Sequence, residues 1–278
     1  MSRLLSAGFS RLWKNKLFWG EMIFMFVLGV WFVFVGFHMV QHDKMAANLD
    51  YTLQGYPMII GFLCALFCGV FGGTEYSAGT IRNKLIAGHT RSSIYLSSLV
   101  VHGAEVFFCF LSFLLADLAL GIPLLGGFIT DGKAVAIMLA GSVVTVFAFT
   151  AIFTMISMLC QTRTAGICIC LILFCILFFA AMEISQRLEE PEMFEGYAYT
   201  TDDSGEMEYV DPEPNPYYLT GTKRKVYEFL HDFLPCSQMY QYTMIEVKHA
   251  GRLVLYSFGI IIVMTAAGIF VFRKKDVK

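Results

Sequence analysis

Six stretches of the chain are apolar almost without interruption: 18–40, 56–73, 96–120, 134–159, 166–184 and 251–272. A membrane span needs roughly 20 mostly apolar residues, so each stretch predicts one transmembrane helix. The segments between them have patterns of their own. Ser2 to Lys16 places Leu5, Phe9, Leu12 and Trp13 on one helical face, with Arg3, Ser10, Arg11 and Lys14 on the other. That pattern predicts a helix over 1–17 lying in the membrane interface. The long segment 185–250 begins irregularly, then shows Val226, Phe229, Leu230, Phe233 and Leu234 at helical spacing, which predicts an amphipathic helix from Thr222 to Leu234. Leu234-Pro235-Cys236 ends that helix, and a shorter one leads into the last span. Between the second and third spans, 74–95 is longer than a simple connection requires. Written as a helix, it puts Ala78, Ile81 and Leu85 on one stripe and Glu75, Arg82 and His89 elsewhere. Gly88 is suited to stop this helix, and Thr90 or Ser92 to cap the next. The expected fold is therefore an all-α membrane protein, a single transmembrane domain over 1–278.

Composition agrees and adds a direction. Hydrophobic residues are 57% of the 278 and charged residues 15%, a balance that one soluble core could not bury. The net charge of −2 conceals a strong polarisation. Glu189, Glu190, Glu192, Glu195, Asp202, Asp203, Glu206, Glu208, Asp211 and Glu213 occur with no Lys or Arg among them. Arg3, Arg11, Lys14 and Lys16 precede the first span; Arg82, Lys84 and Arg91 follow the second, Arg163 the fourth, and Arg273, Lys274, Lys275 and Lys278 the sixth. Basic residues beside span ends stay in the cytoplasm, so both termini and 74–95 are expected there, with 185–250 outside. The first apolar run is too long for a signal-peptide core and is read as an uncleaved span. Seven of the eight cysteines lie in or beside spans, and no disulfide framework or metal ribbon is expected.

Candidate chemistry is sparse. Gly127 to Lys133 matches G-x-x-x-x-G-K but has Ala134 in place of Ser or Thr, and no strand precedes it. No ATP is expected to bind this chain. Glu228/His231 and Glu246/His249 have the E-x-x-H spacing of di-iron bundles, but lie outside the apolar bundle and read as polar surface; no metal site is predicted. Ionisable residues within spans are costly unless they face protein or water. Glu21 and His38 sit near the two ends of the first span, within reach of the interface. In the third span His102 and Glu105 are one turn apart and Asp117 lies near the outer end, which suits either a proton or substrate relay or an internal ion pair that fixes packing. Gly69 and Gly73 form G-x-x-x-G, which is either a face for close helix approach or a helix stop.

Phe71-Gly-Gly-Thr-Glu75-Tyr76-Ser-Ala-Gly79-Thr80-Ile81-Arg82-Asn83-Lys84-Leu85, followed by Gly88, Arg91 and Ile94-Tyr95, resembles the E-Y-x-x-G-T-x-R segment of bacterial ABC-type exporter permeases of the second class. The six spans, the basic first helix and Leu234-Pro235 extend the resemblance over most of the chain. It implies that 74–95 is a coupling helix seated in a groove of a separate ATPase subunit, where ATP and Mg would bind. Glu75, Tyr76, Gly79, Thr80, Arg82, Asn83 and Lys84 would then lie at or near that contact. Gly69, Gly72 and Gly73 would let the second span tilt as the helix moves. The implied partners are that ATPase, a second permease subunit and the bilayer of a bacterial cell membrane, with no nucleic acid. The acidic outer segment adds a cationic antimicrobial peptide as a plausible cargo. Two other readings stay open: an ATP-independent, ion-coupled carrier using His102, Glu105 and Asp117, and a membrane immunity or regulatory protein that transports nothing.

Overall fold

The computed structural model describes residues 1–42, 48–194, 196–200, 207–244, 247 and 249–275. A short helix α1, Ser2–Trp13, turns at Asn15, whose side chain accepts the Leu17 N–H and so opens α2, Lys16–His42. Asn48 caps a single turn, α3 (Leu49–Thr52), which runs through a 3-10 turn into α4, Pro57–Ser77. Pro57 stands in the first turn of α4, where a missing N–H leaves no bond unmade. After α5, Thr80–Ile86, the Thr90 hydroxyl accepts the Ser93 N–H and starts α6, Arg91–Leu125. Then come α7, Gly132–Leu159, and α8, Arg163–Glu189, the latter capped by Thr162. The chain closes with α9, Gly221–Phe233, α10, Pro235–Thr243, and α11, Ala250–Lys274.

Among the described residues, six helical segments are long and apolar enough to cross a membrane: α2, α3 with α4, α6, α7, α8 and α11. Each contains the apolar stretch expected of it and runs a few residues further at one or both ends. Exposure sorts them into two classes. In their most apolar stretches the α3–α4 segment and α7 are 67% and 61% buried, whereas α2, α8 and α11 are 22%, 22% and 17% buried. The second and fourth spans are thus the protein core, and the first, fifth and sixth meet lipid. Tyr56, Cys64, Phe113, Phe149 and Phe153 are among the side chains that fill the centre.

One expectation needs correction. The segment 74–91 is not one helix: α4 continues to Ser77, Gly79 adopts φ 66, and α5 begins afresh at Thr80. Only glycine enters that left-handed region readily, so Gly79 sets the elbow. Ala78 consequently does not share a stripe with Ile81 and Leu85. Ile81 is buried against Leu4, Ile94, Tyr95, Met158 and Phe272, with Leu85 packed beside them. Gly88, at φ 84, does end the element. In the acidic segment, for which the sequence predicted no element, antiparallel ladders pair β1 (Met193–Phe194) with β4 (Glu213–Pro214) and β2 (Tyr197–Thr200) with β3 (Met207–Val210). The amphipathic helix α9 and the following α10 match expectation. α9 lies against the ends of α8 and α11, with Phe229 and Phe233 on Tyr256 and Asp232 paired to Arg252 at 3.0 Å.

Candidate functional site

The basic end of the bundle is assembled around Glu75. This residue lies on the last turn of α4, and its carboxylate is buried where four elements meet. It accepts from the Arg11 guanidinium of α1, from Lys84 Nζ of α5 at 2.8 Å and from Ser98 Oγ of α6 at 3.4 Å. Arg11 also stacks over Phe71, 4.5 Å from the ring centroid, which holds it on α4 by a second, apolar contact. Glu75 therefore faces inward and does not itself present a surface for docking; it stands beneath one.

The neighbouring Tyr76 points to the other side of α4. Its hydroxyl donates to the Met158 carbonyl at the end of α7, and Lys275 Nζ donates to the same hydroxyl at 3.0 Å and to the Leu159 carbonyl at 2.8 Å. Burial holds the Lys275 ammonium below its ordinary pKa. Arg91, at the start of α6, donates to the carbonyls of Phe272 and Lys275 and so clamps the end of α11. Through two adjacent residues, Glu75 and Tyr76, the elbow touches α1, α5, α6, α7 and the residue that closes α11.

What the elbow shows outward is different. Arg82 and Asn83 are exposed, Thr80 and Lys84 half-buried, and Arg82 makes no ion pair among the described residues. Ile86 is 74% exposed beside them, a large apolar side chain on an otherwise polar ridge. An apolar side chain ringed by polar ones is the usual anatomy of a docking patch.

Gly69, Gly72 and Gly73 are buried within α4, which does not stop at them. A Cβ on Gly69 would lie 2.8 Å from the Ile167 Cα, and one on Gly73 2.6 Å from the Arg163 Cα, so α8 approaches α4 backbone to backbone. A Cβ on Gly72 would meet Ser157 Oγ of α7 at 2.6 Å.

The intramembrane polar residues do not form one site. His102 and Glu105 make no ion pair: His102 Nδ1 bonds Thr154 Oγ1 of α7 at 2.8 Å, and its ring is edge-on to Phe67 and Phe71. Glu105 faces the other way, toward Glu21 of α2, and accepts from Cys109 Sγ at 3.2 Å. Glu21 is buried and does not reach the interface. Asp117 stands about 18 Å of helix rise from Glu105, buried near Thr52 and Gly29. The loop resembling a phosphate cradle is filled from within, since Asp50 Oδ2 accepts the N–H groups of Ile129 and Thr130 at 3.0 and 3.1 Å. Glu228 pairs with Arg224, and Glu246 lies outside the described residues.

A family model described as ABC-2 family transporter protein matches residues 7–277. The chain belongs to this family. No curated protein matches it. It is a multi-pass membrane permease subunit, a transport component rather than an enzyme.

Sequence reasoning singled out the elbow of this ABC-2 permease but missed its partners. Nothing local links Arg11 to Glu75 across 64 positions or Lys275 to Tyr76 across 199. Also unforeseen is a buried knot at the opposite end. Gln238 of α10 accepts from Thr145 Oγ1 of α7 and Ser257 Oγ of α11, at 2.9 and 2.6 Å, and donates to the Asp232 and Leu253 carbonyls. A glutamine one turn after Leu234-Pro235 was the available signal.

Proposed function

We propose that this chain is the pathway-forming subunit of an ATP-driven exporter in a bacterial cell membrane. It would work beside a second permease subunit, identical or related, and a separate ATPase that binds ATP and Mg. Both termini and the elbow would be cytoplasmic, in keeping with the basic residues gathered at that end. The observation that carries the reading is the two-sided character of the elbow. Arg82, Asn83 and Ile86 face out, while Lys84 on the same short helix holds Glu75 of α4. A force applied to the outer face of α5 is therefore delivered to the end of the second span. Gly69, Gly72 and Gly73 carry no side chain of their own where that span meets α7 and α8, which favours tilting or sliding there.

For cargo, the described acids Glu189, Glu190, Glu192, Asp211 and Glu213 favour a cationic antimicrobial peptide, because a one-signed surface concentrates counter-charged ligands. Co-purification of the ATPase from a co-expressing host tests the docking. Arg82→Glu and Ile86→Asp should each reduce recovery of the ATPase at least tenfold with the permease still monodisperse. Undiminished recovery with both changes together removes this assignment. Exchanging the acids between Glu189 and Glu213 for their amides should lower resistance to cationic peptides; unaltered resistance removes the cargo argument alone.

A further inference from the structure

Glu21, Glu105 and Cys109 converge where α2 and α6 pack, in the half of the bundle nearer the elbow. One oxygen or sulfur atom from each lies within 4.8 Å of the others. Cys109 follows Glu105 by one helical turn, so both project from the same face of α6 toward Glu21. All three residues are buried. Both oxygens of Glu21 and Oε2 of Glu105 accept from no other described residue, and the two carboxyl groups lie within hydrogen-bond reach of each other. No Lys, Arg or His pairs with either carboxylate among the described residues.

Two carboxylates taken out of water each cost several kcal/mol unless something compensates them. A proton shared between them is donated by one oxygen and accepted by another, so it serves two of the three bare oxygens and leaves one unsatisfied. A dication gripped by both oxygens of Glu21 and by Glu105 reaches all three; with Cys109 bound as a thiolate, having lost the proton it now donates to Glu105, the site carries one net negative charge instead of two. The sulfur decides its class: a thiol beside carboxylates favours a borderline transition metal over Mg²⁺ or Ca²⁺, which prefer oxygen alone. Around Zn²⁺, bonds of about 2.0–2.2 Å to oxygen and about 2.3 Å to sulfur put ligand atoms roughly 3.5 Å apart. The Cys109 to Glu105 separation of 3.2 Å is already close to that. Glu21 sits only about 8 Å of helix rise from the start of α2, near the polar boundary from which an ion would enter. Its side chain also lines an apolar groove of about 740 Å³ bounded by Phe24, Met58, Phe62 and Phe174.

We propose that Glu21, Glu105 and Cys109 bind a borderline transition-metal dication, typified by Zn²⁺, that ties the first span to the third. The site provides three protein ligands and leaves a fourth position to water or to another donor. This inference is independent of the ATPase assignment, because it concerns only the interior of α2 and α6.

The test uses the full chain, purified without a histidine tag in detergent, equilibrated with Zn²⁺ or Co²⁺ and freed of excess metal. Elemental analysis should find about one Zn²⁺ per chain, and the Co²⁺ form should show a thiolate-to-metal charge-transfer band. Cys109→Ser should abolish that band, and Glu105→Gln and Glu21→Gln should each weaken Zn²⁺ binding by about tenfold or more. A monodisperse wild-type protein that retains no metal overturns the proposal, and a shared proton then holds the carboxylates. Metal content and the Co²⁺ band both unchanged in a monodisperse Glu21→Gln/Cys109→Ser double variant overturn it equally, by placing the ion elsewhere. Should any single variant aggregate, wild-type metal content and the Cys109→Ser spectrum still decide.

Discussion

Glu75→Gln is the sharpest probe of the elbow, since it removes one charge and almost no volume. The carboxylate is 3% exposed as a side chain, Lys84 is 14% exposed and Arg11 35%. Breaking a buried pair costs about 3–5 kcal/mol, whereas an exposed pair is worth about 0–1 kcal/mol. The Lys84 contact falls near the first limit and the Arg11 contact near the second. The glutamine oxygen still accepts one hydrogen bond, which restores part of the loss. About 2–3 kcal/mol should therefore disappear from the docking of α1 and α5 on α4, equivalent to roughly a 30- to 160-fold shift in their opening equilibrium. Hydrogen–deuterium exchange of the full chain reads this directly. Amides in Ser2–Trp13 and Thr80–Ile86 should lose protection by that factor, while those in the centre of α7 stay unchanged. A double-mutant cycle with Lys84→Met should show coupling well above the 0.3–0.5 kcal/mol within which independent sites add. Unaltered exchange in α1 and α5, or simple additivity in the cycle, refutes the hub. In the assembled transporter, Glu75→Gln should lower transport with the ATPase still bound, whereas Arg82→Glu should lower it by losing the ATPase.

Two further expectations concern packing. Gly73→Leu forces a side chain into the Arg163 backbone and should abolish recovery of monodisperse protein, whereas Gly251→Ala, which meets nothing within 4 Å, should leave recovery unchanged; equal recovery of the two would deny the close approach of α4 and α8. Gln238→Leu removes the acceptor shared by the Thr145 and Ser257 hydroxyls, which keep each other, and the donor to the Asp232 and Leu253 carbonyls; it should cost about 1–3 kcal/mol, seen as a lower thermal midpoint in detergent, and an unchanged midpoint would mean that the knot of α7, α10 and α11 carries no stability.

Much of the fold could be read directly from the chain, because each span must satisfy its own backbone bonds in lipid and so announces itself by length and apolarity. The amphipathic stripe of α9 and the break at Pro235 were equally local. What failed was either chiral or distant. Gly79 does not by its identity alone reveal that it takes φ 66 rather than φ −60, so one helix was expected where an elbow stands. The ladder of β2 with β3 escaped because ten acids dominate the segment and mask the short Tyr-Ala-Tyr-Thr alternation. Of the elbow residues, charge marked Glu75 and Lys84, whereas Tyr76 was marked only by the resemblance to exporter permeases. The sequence could not say that Glu75 turns inward, since that depends on Arg11 arriving from the other end of the chain. Glu21 was misjudged for the same reason: its distance from the span end allowed it to reach water, and only the packing of α2 on α6 shows that it does not.

The spans that meet lipid and those that do not divide the mechanical labour. α4 ends in the elbow and is largely sleeved by other helices, so its displacement moves protein against protein and hardly disturbs the bilayer. At its elbow end, its track on the α8 side brings backbone close to backbone, Gly69 and Gly73 facing Gly166, Ile167 and Arg163. Such a surface resembles a dry bearing: the resistance to motion is set by interatomic clearance rather than by lipid viscosity or membrane thickness. The rate of the stroke should therefore respond to a single methyl added on that face and be nearly indifferent to the acyl-chain length of the surrounding membrane.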